Sequence, residues 1–201
     1  MKNRLIVMNF LIFAVWGAYL CSLGVYLGNI NMGSNIGAFF AVQGIVSLFM
    51  PALMGIVADK WIPAQKLLGI CHLLCALFIA GAGYVGMTNP EPTFNQLFWL
   101  YAASVAFFMP TIALGNSVSY NALVEAGLDT VKAYPPIRVF GTVGFLCAMW
   151  LVDLAGWQNT PIQFLESAVF SILLCMYALT MPACPVGGGD QKKSLVEALG
   201  L

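Results

Sequence analysis

Six long apolar runs leave this chain one kind of structure to adopt. They are Leu5 to Leu27, Ile36 to Val57, Leu67 to Met87, Phe94 to Tyr120, Pro136 to Trp157 and Ile162 to Pro182. Each meets the ~20 apolar residues that a helix needs to cross a bilayer core. A closed barrel would instead show ~10-residue segments of alternating polarity, so the runs predict helices. With 61% hydrophobic and 8% charged residues, and a mean hydropathy of +0.88, the chain carries more apolar surface than a soluble domain of its 201 residues can cover. It reads as an all-α integral membrane protein.

The basic start Met1-Lys2-Asn3-Arg4 resembles that of a signal peptide. The apolar stretch behind it exceeds the ~7–15 residues of such a segment, and Leu20 before Cys21 is not a cleavage residue, so an uncleaved first helix is expected. The cations then set the orientation. Lys2 and Arg4 precede the first span, Lys60 and Lys66 join the second and third, Lys132 joins the fourth and fifth, and Lys192 and Lys193 follow the sixth. The alternate connections, about 28–35, 88–93 and 158–161, hold no Lys or Arg and are rich in turn-forming Asn, Thr, Gly and Pro. Both termini are therefore expected on the cytoplasmic side. A formal net charge of zero offers no basic surface for nucleic acid.

The cysteines, Cys21, Cys71, Cys75, Cys147, Cys175 and Cys184, lie in apolar runs or at the end of the last one, and are expected as packed thiols. Cys71-His72-Leu73-Leu74-Cys75 lacks the Cys-x-x-Cys-His haem spacing and any second ligand cluster, so neither metal nor other cofactor is expected and His72 reads as a hydrogen-bonded interior residue. Residues 1–184 form the expected six-helix bundle. From 185 to 201 the sequence turns to Gly187-Gly188-Gly189-Asp190 and two lysines, the start of a flexible polar linker, with Leu195 to Leu199 able to open a short helix. Six helices with both ends on one side match one half of a two-domain transporter, itself built from inverted three-helix units, 1–3 and 4–6.

One cation breaks the apolar pattern. Arg138 stands in the fifth run, and a cation inside a membrane helix costs ~2.5–3.5 kcal/mol even on the lenient insertion scale, which marks a ligand, an ion path or a partner. On a helical wheel Arg138, Thr142, Phe145 and Met149 fall within about a sixth of a turn of each other. Gly141, Gly144 and Ala148 occupy another face, suited to close approach of a neighbouring helix. The alternative is that Arg138, a turn inside Pro135-Pro136, snorkels to the headgroups. Asn9, Phe13 and Trp16 share a face of the first helix, Tyr101, Ser104, Phe108 and Thr111 one of the fourth, and Gln43 and Ser47 are polar positions of the second. Such aromatic stripes are commonly packing. The membrane carboxylates Asp153 and Glu166 both fall toward helix ends, so no carboxylate is placed centrally to carry a proton.

The loop Gly55-Ile-Val-Ala-Asp59-Lys60 sets an acid beside a base at a helix end, an arrangement suited to an electrostatic latch. It resembles a shortened form of the cytoplasmic Gly-x-x-x-Asp-Arg/Lys signature of the major facilitator superfamily. Met50 to Trp61, Met109 to Tyr120 and Pro135-Pro-Ile-Arg-Val-Phe-Gly-Thr-Val-Gly-Phe145 together resemble the nucleoside–proton symporter family of that superfamily, over the N-terminal half of a family member. The resemblance implies a twelve-helix secondary transporter of the bacterial inner membrane that alternates access around a site between its halves. It carries the family's nucleoside-site arginine to Arg138, with Thr142 and Phe145 beside it. Guanidinium and hydroxyl donors suit ribose oxygens, while Phe145 and Trp16 offer aromatic faces to the base. It makes Asp59 and Lys60 a conformational latch, and implies a nucleoside, a proton and a C-terminal six-helix half as partners. Alternatives are a transporter of another solute such as a sugar, or a helical scaffold that binds another membrane protein. An intramembrane serine hydrolase is disfavoured, there being no Gly-x-Ser-x-Gly and one histidine only, ahead of the fourth-helix serines.

Overall fold

The computed structural model describes residues 1–186 and is all-helical there. The seven α-helices are α1 (Lys2–Gly17), α2 (Leu23–Asn29), α3 (Ile36–Lys60), α4 (Ala64–Thr88), α5 (Phe94–Glu125), α6 (Thr130–Leu154) and α7 (Ile162–Ala178), with a 3-10 turn at Gly33–Asn35 ahead of α3. Four helical segments, Gly33–Lys60, Ala64–Thr88, Phe94–Glu125 and Thr130–Leu154, are long and apolar enough to cross a membrane, while Ile162–Ala178 is a shorter apolar helix. The expected second to sixth runs are thus all helical. The linker expected over 185–201 lies outside the described residues from 187 onward.

The first run differs from expectation, being two helices with a turn between them. Gly17 ends α1 with its Cα against the Phe145 backbone, where any Cβ would overlap the Phe145 carbonyl. A hydroxyl of α7 takes over part of the backbone bonding, Ser167 Oγ donating to the Val15 carbonyl at 2.8 Å, and the turn is tied to α7 by Ser22 Oγ, which donates to the Gln163 side chain at 2.8 Å. Side-chain hydroxyls that satisfy backbone groups are what let a helix break at membrane depth. A run of apolar residues carries no mark of where such partners sit.

Capping fixes the other ends. Asp129 caps α6 by accepting from the Val131 and Lys132 amides at 3.0 and 3.4 Å. Thr93 and Gln96 form a capping box at the start of α5. Prolines are accommodated inside α3 (Pro51), α5 (Pro110) and α6 (Pro135, Pro136).

The core is stacked in two layers along the bundle. One, around Leu5, Met8, Leu68, Val118, Leu123 and Leu174, lies at the end carrying Arg4, Lys66 and Lys132; the other, around Tyr19, Tyr26, Phe39, Tyr101 and Phe164, lies toward the opposite end. At the basic end the Arg4 guanidinium donates to the Thr180 carbonyl, and Gln65 Oε1 accepts from the Cys184 amide at 2.9 Å, tying the α7 exit to α1 and α4. His72 is buried and its Nδ1 lies 2.9 Å from Ser171 Oγ, so the interior, hydrogen-bonded role expected for it is what the fold provides.

The tightest helix pair is α1 with α6. A Cβ at Gly144 would overlap the Phe10 carbonyl, one at Gly141 would meet the Phe13 ring, and Ala14 and Ala18 pack on Ala148. Backbones in such contact gain dispersion and cannot tolerate an added methyl. Gly144→Ala is therefore expected to destabilise the bundle by about 1–3 kcal/mol, the usual range for overpacking. Gly37→Ala, where an added Cβ meets nothing within 4 Å, is expected to leave stability unchanged. Thermal unfolding of the detergent-solubilised full-length protein distinguishes the two; equal melting curves would contradict the packing described.

Candidate functional site

The face of α6 adjoining its buried glycines carries the lone membrane arginine. Arg138 is half-buried, Thr142 is exposed, and Phe145 and Met149 are half-buried, so the stripe expected from the sequence forms as one surface. The guanidinium carbon of Arg138 sits 3.9 Å from the centroid of the Phe13 ring, which is itself buried in the α1–α6 contact. A cation over an aromatic face gains about 0.5–2 kcal/mol, more where it is desolvated. This contact holds Arg138 against the bundle at its own level in α6, in place of the headgroup-directed snorkel that its nearness to Pro135-Pro136 left open.

Among the described residues no carboxylate pairs with Arg138, and the one ion pair is Lys132 with Asp129, 3.8 Å apart and exposed. Stacking on Phe13 occupies a face of the guanidinium plane and leaves its N–H edge free for acceptors. In front of it lies an open depression of about 390 Å³ lined by Tyr134, Pro135, Arg138, Val139 and Thr142. Toward the basic end Tyr134 donates a hydrogen bond to Asn116 Oδ1 and packs at a tilt on Tyr120, with ring centroids 4.6 Å apart, which closes that side with polar aromatics.

One turn further along α6, Phe145 meets Trp16 of α1 edge to face, with centroids 6.1 Å apart, and Trp16 lies 6.0 Å from Phe108 of α5. Trp16 is half-buried, so part of its ring is open. The four residues singled out from the sequence thus fall into two adjoining groups, Arg138 with Thr142 and Phe145 with Trp16.

Two contributors escaped the sequence reading. Phe13 was placed on one face with Asn9 and Trp16 but not under Arg138. Gln43 of α3 accepts from Trp16 Nε1 at 3.1 Å, and its amide Nε2 donates to the Tyr101 hydroxyl at 2.5 Å. The available signal for Gln43 was its amide in an otherwise apolar helix, since such groups in membranes find partners or functions. The remaining stripe residues are packing: Asn9 bonds the Leu5 carbonyl and Ser119, Ser104 lies 3.4 Å from Cys75 Sγ, and Thr111 bonds the Phe108 carbonyl. Asp59 and Lys60 are both exposed at the end of α3, and neither joins an ion pair among the described residues. Glu166 is buried, with neither carboxylate oxygen hydrogen-bonded.

A Ser–His pair does exist, between Ser171 and His72, yet it is built as a structural tie. Ser171 Oγ donates its proton to the His72 carbonyl at 2.9 Å, leaving Nδ1 to donate to Oγ, so the imidazole is no base for this hydroxyl. Both residues are fully buried.

A multi-pass bundle of apolar helices with a cation and aromatic rings on one open face is the architecture of a membrane transporter, and comparison with known proteins gives the family. The sequence profile of the nucleoside H+ symporter family matches residues 1–201, and the chain belongs to that family. It is 45% identical over 202 residues to the xanthosine permease of Escherichia coli (strain K12), an alignment covering 98% of this chain and 46% of the permease. It is 39% identical over 203 residues to nucleoside permease NupG of the same organism, covering 100% of this chain and 47% of NupG. The crystal structure of nucleoside transporter NupG superimposes with a TM-score of 0.87, at 39% identity over 100% of this chain, and that of a mutant form with 0.92, at 38% identity over 99% of this chain, with 48% of the NupG chain covered in each case. The chain therefore spans about half the length of the relatives it matches. The family consists of transporters, which removes the hydrolase alternative.

If the Arg138 face lines an aqueous path, Thr142→Cys in a full-length protein freed of native cysteines is expected to react with a charged, membrane-impermeant thiol reagent. Ser119→Cys, at a fully buried position, is expected to stay unmodified. Mass spectrometry of the labelled protein reads both, and an unreactive Thr142→Cys would place this face against lipid.

Proposed function

We propose that this chain is the N-terminal half of a proton-coupled nucleoside importer of the bacterial inner membrane, working by alternating access. The observation that carries the reading is the Arg138 guanidinium, stacked on Phe13 with its N–H edge unpaired by any carboxylate beside Thr142, and adjoined by the Phe145–Trp16 aromatic pair. A nucleoside joins an uncharged, oxygen-rich ribose to a flat base. The guanidinium and the Thr142 hydroxyl donate to the sugar oxygens, and Phe145 with Trp16 presents aromatic surface to the base. The printed names of the relatives, permeases of nucleosides and xanthosine, support the same substrate class.

In this reading α1 with α2 counts as one span, giving six across 1–184 with α3 to α7, arranged as two inverted three-helix units. Both ends of the bundle's chain lie on the cytoplasmic side, with Lys2, Arg4, Lys60, Lys66 and Lys132 at that surface. The residues from 185 begin the linker to a C-terminal six-helix half that supplies the other wall of the cavity. Asp59 and Lys60, which join no ion pair among the described residues, latch helix ends of the two halves in one of the access states. A proton moving through ~100 mV releases ~2.3 kcal/mol, enough for roughly fifty-fold accumulation of a neutral solute.

The test is uptake of labelled uridine and adenosine, with glucose as control, into proteoliposomes carrying the full-length product of this gene under an inward proton gradient. Wild type is expected to accumulate both nucleosides and not glucose. Arg138→Ala is expected to lower the uptake efficiency about 10- to 100-fold, the loss of a charged hydrogen bond. Arg138→Lys, which keeps charge but neither the stacking plane nor the fork, is expected to recover little of it. Glucose uptake without nucleoside uptake would move the assignment to sugars, and full activity of Arg138→Ala would return the arginine to a structural role.

A further inference from the structure

Gln43 stands out by where it is buried. Of the 25 residues of α3, two are buried, Phe39 and Gln43. Phe39 is an aromatic anchor, 5.1 to 5.9 Å from the Phe94, Phe98 and Tyr101 rings. The second anchor is an amide, in a helix whose other faces are apolar, where a Leu would pack at lower desolvation cost. Both ends of that amide are engaged: Oε1 accepts from Trp16 Nε1 at 3.1 Å, and Nε2 donates to the Tyr101 hydroxyl at 2.5 Å. Gln43 joins α1, α3 and α5 by these two bonds.

The bond to Trp16 has a directional effect. An indole held only by its edge contacts, 6.0 Å to Phe108 and 6.1 Å to Phe145, is free to turn about its side-chain bonds. A hydrogen bond to Nε1 fixes the ring plane, because the donor lies in it. Tyr101 in turn fixes Gln43, being itself fully buried and set edge-on to Tyr19 at 5.8 Å. Tyr101, Gln43 and Trp16 form a rigid brace that ends on the ring bordering Phe145.

From this geometry we infer that Gln43 is a positioning residue for substrate recognition: it holds the Trp16 indole in the orientation that, with Phe145, forms the aromatic wall against which the nucleoside base is placed. Its role is to position Trp16, one acceptor site and one N–H of its amide being committed to the brace. The inference rests on the proposed nucleoside transport, and deepens it by assigning base recognition to a brace anchored on α3.

The test uses the full-length transporter in proteoliposomes, comparing wild type with Gln43→Leu, Trp16→Phe, the double variant and Tyr101→Phe. Gln43→Leu keeps size and loses both bonds, and is expected to raise KM for uridine and adenosine about 3- to 10-fold, the worth of one hydrogen bond, with the maximal rate within about twofold. Trp16→Phe removes the indole donor and is expected to raise KM at least as much. Adding Gln43→Leu to Trp16→Phe is then expected to change KM by less than about twofold, because the brace has nothing left to hold. Tyr101→Phe, which leaves the Gln43–Trp16 bond in place, is expected to have the smallest effect. Ultraviolet resonance Raman difference spectra, with Trp16→Phe subtracted, are expected to show a hydrogen-bonded indole N–H that is lost in Gln43→Leu.

An unchanged KM in Gln43→Leu or in Trp16→Phe overturns the inference, as does a fall in maximal rate alone. Full additivity in the double variant makes Gln43 a packing residue. Should Gln43→Leu fail to insert, Trp16→Phe tests the same bond from its other end. Wild type that takes up no nucleoside overturns the proposed function and this use of Gln43 together. The Raman band still decides, in that case, that Gln43 does or does not hold Trp16.

Discussion

Backbone contact between α1 and α6 is the constraint on which the rest of the structure depends. Gly17 and Gly144 lack the Cβ atoms that would overlap the Phe145 and Phe10 carbonyls, so the two helices meet main chain to main chain. That approach sets Phe13 under the Arg138 guanidinium and Trp16 against Phe145. A wider crossing would leave Arg138 without its ring and let water or lipid between the two helices. The site is thus a consequence of small residues placed on the adjoining face of the helix that bears it, the usual way in which membrane helices gain specific packing without a hydrophobic driving force between them.

The membrane interior also explains which polar groups are where. Asn9, Ser104, Thr111, Ser119, Ser167 and Ser171 are buried and each meets another protein group, most often a backbone carbonyl, as a medium without water demands. The bonds of Ser104, Ser167 and Ser171 run between helices and locate them. Arg138 and Trp16 differ in being half-buried beside an open face, while Gln43 spends a buried amide on orienting one of them. Glu166, a buried carboxylate with no hydrogen-bond partner on either oxygen, departs from this pattern, as do the Tyr19 and Tyr26 hydroxyls and His72 Nε2.

Much of the fold was legible in the sequence because membrane spans are written in length and hydropathy, and because Gly141, Gly144 and Ala148 mark a packing face distinct from that of Arg138 and Thr142 at helical spacing. The break after Gly17 was not, since it depends on hydroxyls of Ser22 and Ser167 reaching across the bundle, and a single apolar run reads the same with or without them. Arg138 was conspicuous as a lone cation, but its seat on Phe13 joins residues far apart in the chain and requires the α1–α6 crossing to be known. Gln43 was visible as a polar position and lacked a role for the same reason: its partners come from two other helices, at a register that periodicity within α3 does not reveal.

The central claim is that the Arg138 face, walled by Phe145 and Trp16, receives the nucleoside. The most direct measurement is a structure of the full-length protein with a bound nucleoside. The account predicts ribose oxygens within hydrogen-bonding distance of the Arg138 guanidinium and the base lying against Phe145, with the Trp16–Gln43 bond intact. A nucleoside bound elsewhere, with Arg138 still facing an empty depression, would contradict it.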